Sequence, residues 1–172
     1  ILEALDPSFL EGVEVVTQLG EQAVVRMDKD QFTQSVLNLV RNAREAMPDG
    51  GKLTVALERA TARHPEGGRL EQSFIVLTVR DTGTGMSPEV QARVFEPFYT
   101  TKSRASARGR GMGMAIVYAA VRNAGGFIRL ESEPGRGPTF RLFLPVSESL
   151  SMNQELEEGG ASRSPSAERE HA

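Results

Sequence analysis

The sequence predicts an α/β (α+β) fold: a two-layer sandwich in which one mixed sheet of about five or more strands is covered on one face by about three helices. Three observations carry this. Asp30 to Met47 places Phe32, Val36, Leu39, Val40 and Ala43 at three- and four-residue steps, the period of a helix with one buried face. Phe74 to Arg80 (FIVLTVR) is the most continuous apolar run and reads as a central strand. The order strand, strand, helix, strand, strand, helix, helix, strand, strand lacks the regular βαβ alternation of a doubly wound fold.

Each element follows from local signals. Val13 to Thr17 and Ala23 to Met27 are short β-branched runs around Leu19-Gly20-Glu21-Gln22, which reads as a hairpin. Asp28 or Asp30 caps the first helix, and Pro48-Asp49-Gly50-Gly51 stops it. Lys52 to Glu58 alternates as a strand, and the polar stretch Arg59 to Gln72 is a loop. After the central strand, Ser87 caps a short helix with Pro88 at its first position and Glu89 in its first turn. Phe95 and Phe98 in the aromatic connector Val94 to Lys102 are expected to pin the base of a flap to the core. Gly111 to Ala124 is a helix that opens on glycines. Phe127 to Glu131 and Thr139 to Leu144 form a closing hairpin around Glu133 to Gly137.

The 172 residues suit one domain with flanking sequence: residues 1–10 as the end of a linker, 11–146 as the domain, and 147–172 as a disordered tail rich in Ser, Glu, Gly and Arg. A net charge of −3 gives no reason to expect nucleic acid or an anionic membrane as partner. Without cysteine there is no disulfide framework, and the two histidines, His64 and His171, are too isolated for a metal cluster. No apolar run is long enough to span a bilayer, and the lack of cysteine is compatible with a reducing compartment; a cytoplasmic setting is expected, in a parent protein that can itself be membrane-anchored. Because the chain starts at Ile1, it is expected to be a piece of a larger protein, monomeric by itself.

Several residues invite a chemical reading. Ser35, Asn38, Asn42 and Glu45 form a second stripe on the first helix. Asparagine is a poor helix-interior residue, so Asn38 and Asn42 either bond neighbouring backbone or water, or turn their carbonyl oxygens to a cation carrying phosphates. Asp81-x-Gly83-x-Gly85 ends the central strand; it is either a tight turn or a carboxylate for a purine amino group with glycines beside a flat ligand. Gly109-x-Gly111-x-Gly113 opens a helix whose bare N–H groups suit phosphate, or else it is a hinge. Lys102, Arg104, Arg108 and Arg110 make the preceding connector a cationic flap or a solvated loop.

Together these motifs resemble the asparagine, glycine and phenylalanine boxes of sensor histidine kinases. The matching stretches are Asn38-Leu39-x-x-Asn42-Ala43, Asp81-x-Gly83-x-Gly85-Met86, Phe95-Glu96-Pro97-Phe98-Tyr99-Thr100-Thr101-Lys102, Gly109-x-Gly111-Met112-Gly113-Met114 and Gly135-x-Gly137-x-Thr139-Phe140. The resemblance covers roughly residues 10 to 146, lies within the gyrase, Hsp90, histidine kinase and MutL superfamily, and is nearest to the nitrogen-regulation subgroup. It implies a Bergerat-type ATP-binding fold with ATP and Mg²⁺ as cofactors. By resemblance Asn42, helped by Asn38, holds Mg²⁺. Asp81 reads adenine, with Gly83, Gly85, Met86 and Thr139 around it. Gly109, Gly111, Met112 and Gly113 meet the phosphates, and Lys102 with an arginine of the flap lies over them.

Departures accompany the likeness. Glu45 and Ala46 stand where many relatives have a basic residue and an aromatic, so no phosphate contact or stacking is assigned there. Arg110 replaces a small hydroxyl residue, and Met112 and Met114 replace leucines. Hydrolytic cousins place a glutamate base where this chain has Asn38, which cannot accept a proton, so transfer is favoured over hydrolysis. The implied acceptor is a histidine on a separate dimerisation domain of the parent protein, and then a response regulator; neither His64 nor His171 resembles it. The alternatives are a nucleotide-binding regulatory module without transfer activity and a serine kinase of the anti-sigma-factor type.

Overall fold

The computed structural model describes residues 7–20, 24–67, 70–101 and 111–147. A 3₁₀ turn at Pro7–Leu10 leads into β1 (Val13–Leu19), α1 (Lys29–Ala46), β2 (Gly51–Ala62), β3 (Gln72–Asp81), α2 (Pro88–Arg93), α3 (Gly113–Asn123), β4 (Phe127–Glu133) and β5 (Gly137–Pro145). The five strands form one mixed sheet in the order β1-β2-β3-β5-β4, with the helices on one face, as the sequence predicts. The expected tail beyond Ser147, residues 1–6 and the flap at 102–110 lie outside the described residues.

The core forms where the helices meet the sheet. Val36, Leu39, Val40 and Ala43 of α1 and Met114, Val117 and Val121 of α3 pack on Leu53 and Val55 of β2, Leu77 and Val79 of β3, and Phe140, Leu142 and Leu144 of β5. Successive strand residues alternate faces, so the odd positions of β3 and the even positions of β5 point at the helices. Phe74, Val76, Phe127 and Phe143 make a smaller cluster on the opposite face, where Phe127 and Phe143 stack with centroids 4.3 Å apart.

Local chemistry sets the helix limits. Asp28, rather than Asp30, is the cap of α1: its Oδ1 accepts from the N–H groups of Asp30 and Gln31, each at 3.0 Å. At the other end Arg44 donates to the carbonyls of Met47 and Phe9, which fastens the 3₁₀ turn to the helix C-terminus. Ser87 caps α2 as predicted, with Pro88 at its first position.

Three expectations need correction. The stretch Arg59 to Gln72 is not all loop: β2 runs on through Arg59 to Ala62 and β3 already begins at Gln72, the two strands pairing antiparallel as far as Ala62 against Gln72. Val13 to Met27 is not a hairpin. β1 instead pairs in parallel with β2, Val15 lying against Leu53, and Val25 makes an isolated antiparallel bridge to Val146 beyond β5. Val24 and Val25 therefore lie beside the end of β5, and Ser147, whose N–H donates to the Val24 carbonyl, is buried there. Of the two connector phenylalanines only Phe95 packs on the core, against Tyr118 and Phe140. Phe98 is 74% exposed, at a φ of 65°. It is the backbone that makes the tie here: the Phe98 N–H donates to the Gly111 carbonyl at 3.0 Å.

Leu39 is 1% exposed at the centre of this core. Leu39→Ala is expected to lower unfolding free energy by about 2–5 kcal/mol with an unchanged denaturant slope, read by urea titration.

Candidate functional site

The inward seating of α1 turns its polar stripe toward the start of α3, and a cleft of about 760 Å³ opens between them. Asn38, Arg41, Asn42 and Glu45 of α1 form one wall, Gly111, Met112, Gly113 and Met114 another, and Thr84, Gly85, Met86 and Ser87 a third. That volume lies within the range of small-molecule and cofactor sites. Ser35, though on the same stripe, is fully buried and bonds the Gln31 carbonyl within its own helix.

The two asparagines are in different states. Asn38 is buried, and its amide is engaged at both ends: its oxygen accepts from Gln34 Nε2 at 3.0 Å, and its nitrogen donates to the Gly113 carbonyl at 3.2 Å. It is thus a strut from α1 to the first turn of α3. Asn42, one turn further on, lines the cleft and has no side-chain hydrogen bond among the described residues. The first turn of α3 has no side-chain cap, which leaves backbone N–H groups at a helix end that borders the cleft.

The Asp81 to Met86 loop is held by backbone on both sides. The Thr84 N–H donates to the Ala46 carbonyl at 3.3 Å, and the Thr84 carbonyl accepts from the Gly135 N–H at 2.7 Å. A Cβ on Gly83 would stand 2.6 Å from the Ala46 carbonyl oxygen, and one on Gly85, whose φ is +68°, would overlap the Glu133 carbonyl. Both glycines are therefore required by close approach of protein backbone. Met86 is fastened to β4 through its N–H to Ser132 Oγ, and Gln91 of α2 bonds both the Met86 and Ser132 carbonyls.

Asp81 ends β3 on the helix-facing side and is 2% exposed. One carboxylate oxygen accepts from the Gly83 N–H at 2.8 Å. Burial pushes its carboxyl up from the ordinary 3.8 to about 6, with the Gly83 bond offsetting part of the rise. A carboxyl kept out of water with a single backbone donor is under-solvated, which suits it to accept a hydrogen from a bound group.

Of the residues singled out in the sequence, Asn38, Asn42, Gly85, Met86, Gly111, Met112 and Gly113 line the cleft. Asp81 and Gly83 lie at the base of the loop that forms one wall and are not lining residues; Lys102 and Gly109 fall outside the described residues. Thr139 is turned away. It pairs with Arg80 and Glu131 on the helix-free face of the sheet, and its neighbour Pro138 lines the cleft in its place. Arg41 and Tyr99 line the cleft as well and were missed. Arg41 falls three residues after Asn38, on the stripe that the helical period defines, so its position was readable from the spacing. Tyr99 is held by Arg93, whose guanidinium lies 4.3 Å from the ring centre, and no spacing rule signals that. Among the described residues no three His, Cys, Asp or Glu side chains converge to hold a metal ion. The Asn42 amide oxygen on the cleft wall is a donor that suits a hard divalent ion arriving with its own phosphate ligands.

Comparison with known proteins identifies the family of this chain. The family described as histidine kinase-, DNA gyrase B- and HSP90-like ATPases matches residues 27–148. The sensor kinase CckA of Brucella abortus is 41% identical over 127 residues, which are 70% of this chain and 13% of that protein. Sporulation kinase D of Bacillus subtilis is 39% identical over 142 residues, 81% of this chain and 25% of that protein. The chain thus spans between 13% and 25% of the length of these two relatives. Among solved structures, the catalytic domain of histidine kinase ThkA, in a nucleotide-free form, has a TM-score of 0.60 at 25% identity, covering 78% of this chain and 79% of that one. Full-length ShkA in complex with AMPPNP has a TM-score of 0.60 at 25% identity, covering 79% of this chain and 26% of that one.

Two outcomes follow from the site's bonds. The folded pKa of Asp81 is raised, so its ionised form burdens the fold above about pH 6, and the burden is relieved as pH falls from there toward 3.8. Asp81→Asn is therefore expected to stabilise the free protein by about 1–3 kcal/mol at pH 8, with the gain shrinking as pH is lowered through 6, in urea titrations at several pH values. Gln34→Glu, which can only accept, is expected to turn the Asn38 amide around and face its oxygen to the Gly113 carbonyl. Hydrogen exchange should then quicken in the first turns of α3, while the strands keep their protection.

Proposed function

The chain belongs to the histidine kinase-, DNA gyrase B- and HSP90-like ATPases and is the ATP-binding catalytic domain of a histidine-kinase-like protein; on that premise we propose that it serves a two-component sensor histidine kinase. In this reading it transfers the γ-phosphoryl group of ATP to a histidine on a separate dimerisation domain, from which the group passes to a response regulator. The lone pair of the unprotonated imidazole nitrogen forms the phosphorus–nitrogen bond, the bond from the γ-phosphorus to the β,γ-bridging oxygen breaks, ADP departs with that electron pair, and the proton on the other ring nitrogen can then be released. The proposal places the domain in the cytoplasm, with ATP and its phosphoacceptor.

The observation that carries this reading is the pairing of an engaged Asn38 with an Asn42 that has no side-chain hydrogen bond among the described residues, on one wall of a cleft bordered by the N-terminus of α3. Phosphoryl transfer asks a protein mainly for positioning and charge neutralisation. Asn42, with Asn38 beside it, would hold Mg²⁺, and the α3 N–H groups would meet phosphate oxygens. Mg²⁺, when bound, neutralises and orients the phosphates. Asp81 would accept the adenine amino hydrogen, selecting adenine over guanine. Asn38 supports transfer over hydrolysis: an amide cannot take a proton from water, and this one is already fastened to α3.

The test has two parts. Wild-type chain is expected to bind ATP-Mg, and Asp81→Asn to lose about 1.5–3 kcal/mol of that affinity by calorimetry. Wild-type affinity should also fall as pH drops below about 6, where the free carboxyl is protonated. Supplied with the cognate dimerisation domain and labelled ATP, the wild-type chain should produce acid-labile phosphohistidine on that domain and leave itself unlabelled. Nucleotide binding without transfer would favour the regulatory module, and acid-stable label on a partner protein would favour the serine kinase.

A further inference from the structure

We infer that Arg41 is a polyphosphate-binding residue of this cleft. The inference rests on the nucleotide reading above. Arg41 lies three residues after Asn38, one before Asn42 and four before Glu45, and all four line the same cleft. The helix rotation that buries Val36, Leu39, Val40 and Ala43 therefore brings Arg41 to the cleft wall together with the amides.

Charge and commitment single it out. Among the described residues lining the cleft, Arg41 is the one cation, and Glu45 is the one anion. Arg41 makes no hydrogen bond or ion pair among the described residues. The nearest other arginine of α1, Arg44, is committed to the Phe9 and Met47 carbonyls and is not a lining residue. A triphosphate with one divalent ion retains about two negative charges. A guanidinium beside Asn42 answers that charge, and its planar fork can take two phosphate oxygens at once. Adenosine, which lacks phosphates, gains nothing from it.

The experiment is calorimetric titration of ATP-Mg, ADP-Mg and adenosine into the purified chain, for wild type, Arg41→Ala and the double variant Arg41→Ala with Glu45→Lys. Arg41→Ala is expected to weaken ATP-Mg about five- to tenfold, ADP-Mg by less, and adenosine by under about twofold. Glu45→Lys, which places a cation one turn along the same wall, is expected to restore most of the lost ATP-Mg affinity. An Arg41→Ala protein that binds ATP-Mg as wild type does, or that loses adenosine in equal measure, would overturn the inference and leave the nucleotide reading standing. A wild-type chain that binds none of the three would overturn both.

Discussion

The rotation of α1 about its own axis is the constraint on which the site depends. Val36, Leu39, Val40 and Ala43 are buried against β2, β3, β5 and α3, and rotating the helix would expose them. Burying an aliphatic side chain is worth roughly 1.5–3 kcal/mol, so the hydrophobic stripe fixes the rotation firmly. The polar stripe inherits that rotation. Asn38, Arg41 and Asn42 reach the cleft because their apolar neighbours have nowhere else to go. Packing thus supplies the aim, and the site itself needs little energy of its own to hold these groups in place.

Asn38 and Asp81 carry the polar side of the arrangement. Asn38 would be costly inside a helix interface without partners; with Gln34 on one side and the Gly113 carbonyl on the other, it becomes a tie between two helices. Asp81 is the opposite case. It has one backbone donor and a raised pKa, so the free fold tolerates it at a loss. Its place at a strand end, at the base of the loop that walls the cleft, fits the purine contact proposed above.

Much of this was legible in the sequence. The helical period of α1, the apolar run of β3, the Ser87 cap and the glycine-led start of α3 all act over a few residues, and each formed where the pattern indicated. Strand partnership does not act locally. Val13 to Met27 carries turn residues and β-branched runs that suit a hairpin, yet β1 pairs in parallel with β2, a choice set by distant chain segments. Thr139 is a different case, because parity was available: Phe140 faces the helices, so Pro138 shares its face and Thr139 cannot. Gly83 and Gly85 show a third limit. Their spacing suggested room for a ligand, whereas the immediate neighbours are the Ala46 and Glu133 backbones, and no sequence pattern names a partner so far along the chain.

The bond between the Gly135 N–H and the Thr84 carbonyl, with Gly85 fitted against Glu133, makes two stretches of chain a single mechanical piece. Neither can be exchanged alone for its counterpart from a relative, since each is shaped to the other's main chain. Drift in one is thereby answerable to drift in the other, and a chimera of this domain must carry both the β3–α2 loop and the β4–β5 turn across from the same parent.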